Sequence, residues 1–295
     1  MIYDATSPPL AGPRWRPAAE RQFLSIRAAL RATIQRAKKS NTFVTPEVVA
    51  AFAALHMSTG DGEPIAPAAH HWLWLRLMCD VHIKKLLIIG TPESAKTTWV
   101  LAYAACLIGF YPEWPGIIAA VSGPVAEKRS LALRNLIESP EYALTFPTVK
   151  PAAGMPWTAT EWSVAEAGRS HAGRLHPTVS AYGTGGSITG SRARWLIGDD
   201  LLDLDNTRTQ HQRGLVDTWL HTSLLSRLTA QTGRAVIIGN VHHHDDAYMR
   251  LAKSEGWVTC RIPLLSDGRD VRATITYPDD YAGQPIGRAV AGAEL

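Results

Sequence analysis

Apolar residues recur along this chain in two periods, and the change from one to the other predicts its architecture. From Pro17 to Lys39, Phe23, Ile26, Leu30 and Ile34 fall at three- and four-residue steps with arginines on the other faces, which predicts an amphipathic helix. Thr45-Pro46-Glu47 predicts a second helix with a threonine cap and proline in its first turn. Ser58 to Pro67 reads as a loop, and His70 to Asp80 as a helix with an aromatic-rich face. Beyond it the apolar residues come in short runs: Leu86 to Ile89, Ile117 to Val121, Trp195 to Ile197, Ala235 to Gly239 and Val258 to Ile262. Glu161 to Ala165 and Thr178 to Tyr182 are also β-like. Helices are predicted from Trp99 to Ile108, from Ser122-Gly123-Pro124 to Glu138, and from Arg208 to Leu228. Apolar strands separated by such helices predict an α/β fold with a mostly parallel sheet covered on both faces. Ligands of such sheets sit beyond the carboxyl ends of the strands.

The candidate chemistry falls at those ends. Leu86-Leu87-Ile88-Ile89 stops at Gly90 and restarts as Ala95-Lys96-Thr97-Thr98 ahead of a helix. A phosphate-binding loop needs that order: a strand, backbone N–H groups around the phosphates, a lysine, a hydroxyl for Mg²⁺ and a helix N-terminus. The residues in line for the cradle are Gly90, Thr91, Pro92, Glu93, Ser94, Ala95, Lys96, Thr97 and Thr98. Ala95 stands where the pattern has a second glycine, so either its φ stays negative or the backbone tolerates strain.

Trp195-Leu196-Ile197-Gly198 runs into Asp199 and Asp200. One acid at such a strand end can hold Mg²⁺ and the next can orient or deprotonate a water; alternatively, the pair caps a turn. Upstream, Gly183 to Gly190 holds four glycines in eight residues and leads to Arg192 and Arg194. Either arginine could touch a phosphate of its own or a neighbouring subunit, with a surface salt bridge as the alternative. Asn240, at the end of another strand, could sense a γ-phosphate. The following His242-His243-His244-Asp245-Asp246 has metal-ligand residue types but lacks a pair at i, i+4 spacing.

Composition adds limits. Hydrophobic residues make up 46% of the 295, and the apolar stretches are broken well short of a membrane span, so none is expected. Cys79, Cys106 and Cys260 sit in apolar contexts without metal-type spacing and read as buried thiols. The formal charge is only +4, yet Arg14, Arg16, Arg21, Arg27, Arg31, Arg36, Lys38 and Lys39 crowd a segment whose only acid is Glu20. Such a basic arm could meet phosphates or form a solvated helix face.

In this order the motifs resemble the ATPase domain of the large terminase subunit of tailed bacteriophages. The resemblance runs from about His70 to Leu264: the paired histidines His70-His71, the Walker A-type loop Thr91 to Thr98, Gly183 to Arg192 leading to the Walker B-type Asp199-Asp200, and Ile237-Ile238-Gly239-Asn240 followed by histidine and acids. It implies a P-loop NTPase fold of the ASCE type, with a helical extension over residues 1–60, the ATPase domain over 61–265 and a tail or linker over 266–295. Implied roles are Lys96 on the β/γ-phosphates, Thr97 and Asp199 on Mg²⁺, Asp200 as water activator, Asn240 as γ-phosphate sensor, Arg192 as a phosphate-contacting arginine, and His70 or His71 near the adenine of ATP. The implied partners are double-stranded DNA, a portal protein, a small terminase subunit and further copies in a homo-oligomeric ring, commonly a pentamer. The ring would work in the host cytoplasm and at the procapsid portal vertex. The family's RNase H-like nuclease is expected to be absent from this chain or carried by another. The other readings are a nucleotide-binding assembly module that hydrolyses little alone, and a helicase or other P-loop ATPase.

Overall fold

The computed structural model describes residues 17–40, 42–169, 173–262, 271–286 and 290–291. The expectations for residues 1–16, including Arg14 and Arg16, and for much of the tail lie outside the described residues. The helices are α1 (Pro17–Lys39), α2 (Pro46–His56), α3 (Ala69–Cys79), α4 (Lys96–Phe110), α5 (Gly123–Glu138), α6 (Pro140–Thr145), α7 (Leu204–Thr207), α8 (Gln210–Trp219) and α9 (Ala247–Leu251). The strands are β1 (Lys85–Ile89), β2 (Gly116–Ala120), β3 (Val149–Pro151), β4 (Glu161–Trp162), β5 (Val164–Glu166), β6 (Val179–Gly183), β7 (Trp195–Asp199), β8 (Arg234–Gly239), β9 (Trp257–Arg261), β10 (Val271–Arg272), β11 (Thr274–Thr276) and β12 (Val290–Ala291).

Eight of these strands form one sheet in the order β11-β9-β1-β8-β7-β2-β6-β4. Its six inner strands are parallel, and only the edge strands β11 and β4 run against their neighbours. β8 lies between the loop-bearing β1 and the acid-bearing β7, so the sheet has the inserted strand of the ASCE arrangement. The expected fold class is therefore borne out.

The alternation of side chains along β1 explains why the sheet is covered twice. Leu86 and Ile88 face a core built with Ile34, Phe52, Trp74 and Trp99 from α1 to α4, whereas Leu87 and Ile89 face a second core with Val216, Leu220, Leu224 and Tyr248. α4 is apolar almost all round and is buried over most of its length, as expected for a helix sandwiched between a sheet and other helices. α2 starts where the sequence places it: Thr45 Oγ1 accepts from the Val48 N–H, and Pro46 fills the first turn.

Two expectations change. The long helix predicted from Arg208 to Leu228 is divided: Thr209 caps the start of α8, and after Trp219 the chain widens into a π-helical turn, Leu220–Leu224, followed by a 3-10 turn, Leu225–Arg227. The widened turn buries Leu220 and Leu224 together against the sheet. Nor is the basic face of α1 wholly turned to solvent. Arg27 and Arg31 both pair with Glu141 at the start of α6, and Lys38 lies 3.5 Å from Glu166. Burial alone would raise the Glu141 pKa, but the two guanidiniums hold it below its ordinary value.

Candidate active site

The carboxyl ends of β1, β7 and β8 converge on one cleft because the three strands are neighbours in register: Ile89 opposite Gly239, and Asp199 opposite Ile238. β1 leads into Gly90, where an added Cβ would stand 3.3 Å from both Lys96 Cδ and Trp74 Cζ2. Glycine thus lets the lysine stem fold back under the loop. Glu93 and Ala95 then take positive φ angles of 60° and 58°. Ala95 therefore tolerates strain, the second of the two alternatives open from the sequence. Left-handed residues alternating with others turn successive N–H groups inward, the geometry of an anion nest. Ser94 Oγ ties the loop by donating to Thr91 O at 2.6 Å, while Pro92 and Glu93 are exposed at its tip.

Lys96 opens α4 and is buried, its Nζ donating to Thr91 O at 2.6 Å, to Gly90 O at 3.4 Å and to Asn240 Oδ1 at 3.2 Å. Burial lowers its pKa, while the Asp200 and Asp199 carboxylates pull it up. The next residue, Thr97, places Oγ1 2.9 and 3.0 Å from the two Asp199 carboxylate oxygens. Thr98 follows it in the same turn, partly exposed. Asp200 has φ of +48°, a left-handed turn that aspartate accepts more readily than most residues and that takes the chain out of β7. Burial and the neighbouring Asp199 raise its pKa, while Lys96, Arg129 and His242 counteract. A carboxylate so shifted is a better proton acceptor than a free aspartate.

His71 lies beneath the loop. Its Nδ1 accepts from the Ala68 N–H at 3.0 Å, so Nε2 carries the proton and donates to Ser94 O at 3.0 Å. Its ring packs between Trp74 and Trp99, and burial lowers its pKa to about 4 against the upward pull of the Ser94 carbonyl. Both ring nitrogens are thus engaged in holding the loop. A cleft of about 690 Å³ opens beside the loop, lined by Thr91, Pro92, Val241, Arg261 and Ile262 among others. It offers an apolar wall and a cation next to the phosphate cradle.

Arg192 and Arg194 are not at the ligand edge, contrary to expectation. They precede the amino end of β7, with Asp199 at its other end. Arg192 is exposed and donates to Ser226 O at 3.4 Å; Arg194 stacks on Trp114, 4.5 Å from its ring centre. The glycine-rich segment begins at the ligand edge, where Thr184 Oγ1 donates to Leu201 O at 3.0 Å, and it carries the chain back across the sheet. Within one subunit neither arginine is brought to the lysine and the acids.

Arg129 of α5 is brought there, and no motif announced it: its Nε donates to Asp199 Oδ2 at 2.5 Å. Tyr248 also went unnoticed. Its hydroxyl accepts from the Leu201 N–H at 2.7 Å and its ring closes over Gly239, where an added Cβ would come within 2.5 Å of it. The His242 to Asp246 cluster is occupied internally. Asp246 accepts from the backbone N–H groups of His242 and His243, and Asp245 pairs with Arg250. Among the described residues no group of three or more histidines, cysteines or acids is placed to hold a metal ion.

The donor set at Thr97 and Asp199 suits magnesium all the same, because it consists of oxygen atoms alone. Two oxygens bound at right angles to one Mg²⁺, each at about 2.1 Å, lie about 3.0 Å apart. That matches the 2.9 and 3.0 Å separations found.

No family model matches the chain. Over 182 residues it is 24% identical to the large terminase subunit of Enterobacteria phage T3, a match that takes in 62% of this chain and 30% of that protein's length. Among solved structures, the large terminase ATPase domain of Thermus phage P74-26 is similar at 13% identity and a TM-score of 0.45, over 64% of this chain and 70% of that one. The N-terminal domain of the DNA packaging ATPase from bacteriophage phi29 is similar at 10% identity and a TM-score of 0.36, over 68% and 93%. The likeness to phage large terminase subunits expected from the ordered motifs is thus borne out by a relative found on sequence alone.

Proposed function

We propose that this chain is an ATP-hydrolysing subunit of a motor that drives double-stranded viral DNA into a procapsid. The observation that carries the reading is the meeting of Lys96, Thr97, Asp199, Asp200 and Asn240 at one carboxyl edge of the sheet, in the sequence order of a terminase motor.

Each residue has a distinct task in this reading. The Lys96 ammonium leaves the Thr91 carbonyl and neutralises the β- and γ-phosphate oxygens, while the backbone N–H groups between Thr91 and Thr98, Pro92 excepted, surround the phosphates. Mg²⁺ held by Thr97 and Asp199 would offset charge building on the phosphates as the bond to the leaving group breaks. Asp200 orients the attacking water and takes its proton, for which its raised pKa suits it. Asn240, already on Lys96, registers the γ-phosphate, and its loop leads to Asp246 and α9. The cleft of about 690 Å³ takes the base and ribose, with His71 bracing the loop from below. Arg192, exposed and away from its own site, serves a neighbouring copy in the ring.

The implied partners are duplex DNA held through its phosphates, a portal protein, a small terminase subunit and further copies of the chain in a ring. The ring would act in the host cytoplasm and at the portal vertex. The test is phosphate release by the purified protein, alone and with duplex DNA and procapsids. Lys96→Ala is expected to reduce release at least about 100-fold, and turnover retained in that variant rejects the assignment. Tight ATP binding with no release under any of these conditions would instead identify a nucleotide-binding assembly module.

A further inference from the structure

Asp199 carries a problem that the nucleotide reading leaves open. The residue is 1% exposed, and a buried carboxylate is costly without a countercharge. The Thr97 hydroxyl has a single proton to share between the two Asp199 oxygens, so it supplies one hydrogen bond and no charge. Among the described residues the cation bonded to Asp199 is Arg129, through Nε at 2.5 Å. Arg129 reaches it from α5, which starts just past the carboxyl end of β2, next to β7 in the sheet. Its side chain is 32% exposed, and among the described residues it makes no other hydrogen bond or ion pair. The guanidinium is thus held on the acid through Nε while its side chain stays partly open to solvent.

We propose that Arg129 is the exchangeable cation of this site: it neutralises Asp199 while the metal is away, gives up that carboxylate when a divalent cation arrives, and turns to the phosphates that come with it. The proposal rests on the nucleotide reading for its second half. The first half stands on the buried carboxylate alone. The oxygen that Arg129 holds is one of the two that, with Thr97 Oγ1, have the spacing of a magnesium octahedron's edge. A guanidinium and a divalent ion that close repel each other, so each weakens the other's hold on Asp199. The freed guanidinium starts beside the phosphate loop, because the carboxylate it leaves is bonded to Thr97, the residue after Lys96. Arginine suits such an exchange: it stays charged at every working pH, and its fork fits carboxylate and phosphate alike.

The test starts with metal alone. Mn²⁺ is titrated into nucleotide-free protein and followed by electron paramagnetic resonance. Arg129→Gln, which keeps a hydrogen-bond donor but loses the charge, is expected to bind Mn²⁺ on the order of tenfold more tightly than the parent. Arg129→Lys, which keeps the charge, is expected to stay near the parent. Unchanged or weaker Mn²⁺ binding by Arg129→Gln overturns the proposal. With a fluorescent ATP analogue and Mg²⁺, the same Gln variant is expected to lose affinity relative to the parent, while Arg129→Lys loses less.

Should the Gln variant fail to fold, the parent protein still decides. The arginine Nε–H resonance assigned to Arg129 by its loss in Arg129→Lys should be hydrogen-bonded without metal and shift when Mg²⁺ and a non-hydrolysable ATP analogue are added. A resonance indifferent to both overturns the exchange. If the parent protein does not bind the analogue at all, the nucleotide reading fails, and the Mn²⁺ titration still judges the first half by itself.

Discussion

Ala95 offers a sharp test of how the phosphate loop is built. Its φ of +58° is left-handed, and it stands immediately before α4, partly buried against the larger core. A non-glycine residue there bears a strain of roughly 1–2 kcal/mol. Ala95→Gly removes that strain. Against it, the more flexible unfolded chain returns roughly 0.4–1 kcal/mol, and loss of a half-buried methyl about 0.4 kcal/mol. The expected net effect lies between about zero and 1 kcal/mol of stabilisation. Ala95→Val has the opposite sign, since a β-branched residue with positive φ is a backbone outlier costing roughly 1–3 kcal/mol. The Gly-to-Val gap should therefore be about 1–4 kcal/mol. Urea unfolding of the nucleotide-free protein measures it directly, and the fluorescent ATP analogue should bind the valine variant more weakly because the cradle amides are displaced. At an ordinary extended position valine would equal or exceed glycine. If urea midpoints rank valine level with alanine, or glycine clearly last, the left-handed cradle is not the geometry this loop adopts.

Further outcomes follow from the acid beside Asp199 and from two buried histidines. Asp200→Asn should slow hydrolysis by roughly 10²–10⁴ while leaving nucleotide binding intact. It should also raise the melting temperature of the nucleotide-free protein at pH 7, because a half-buried charge that is poorly solvated and repelled by Asp199 is removed; a lower melting temperature contradicts this. The acid limb of the parent's kcat/KM profile, which reports the free enzyme, should lie above the ordinary aspartate value of 3.8, in the direction of the raised Asp200 pKa. His56 and His71 both have pKa values lowered to about 4 by burial. The unfolded chain therefore takes up protons near pH 6.5 that the folded chain refuses. Stability should be full above that pH and fall as pH drops from 6.5 towards 4. His71→Ala should lower stability at pH 7.5 by roughly 1–3 kcal/mol and flatten part of that slope. Urea midpoints equal at pH 7.5 and pH 5 would refute the buried neutral histidines.

The parts of the fold that the sequence reveals are those governed by local periodicity and by strand ends. The runs that became β1, β2, β7, β8 and β9 are apolar on both faces, so their placement inside a covered parallel sheet follows from composition alone. Lys96, Thr97 and the two aspartates were legible because a phosphate loop fixes their spacing to strands. Arg129 was not, since α5 carries several charged residues and only the packing of α5 on β2 and β6 selects the one that meets Asp199. The error over Arg192 has a similar origin. Sequence adjacency to Asp199 suggested spatial adjacency, but an extended strand separates the two and puts them at opposite ends of β7. His71 shows a third kind of gap: a histidine beside a phosphate loop invites a ligand role, yet its Nε2 turned out to hold Ser94 O. The break in the helix after Trp219 has no local signal, because Leu220 and Leu224 are good helix formers whose geometry is set by the sheet beneath them.

The pairing of Arg27 and Arg31 with Glu141, and of Lys38 with Glu166, has a practical consequence. Added electrolyte weakens the clamp between the first helix and the segments that follow α5 at the same concentrations at which it strips any polyanion from the surface. A salt titration of DNA attachment would thus merge two events, detachment of the nucleic acid and loosening of the protein's own amino-terminal helix. Only a parallel melting curve at each ionic strength would tell them apart.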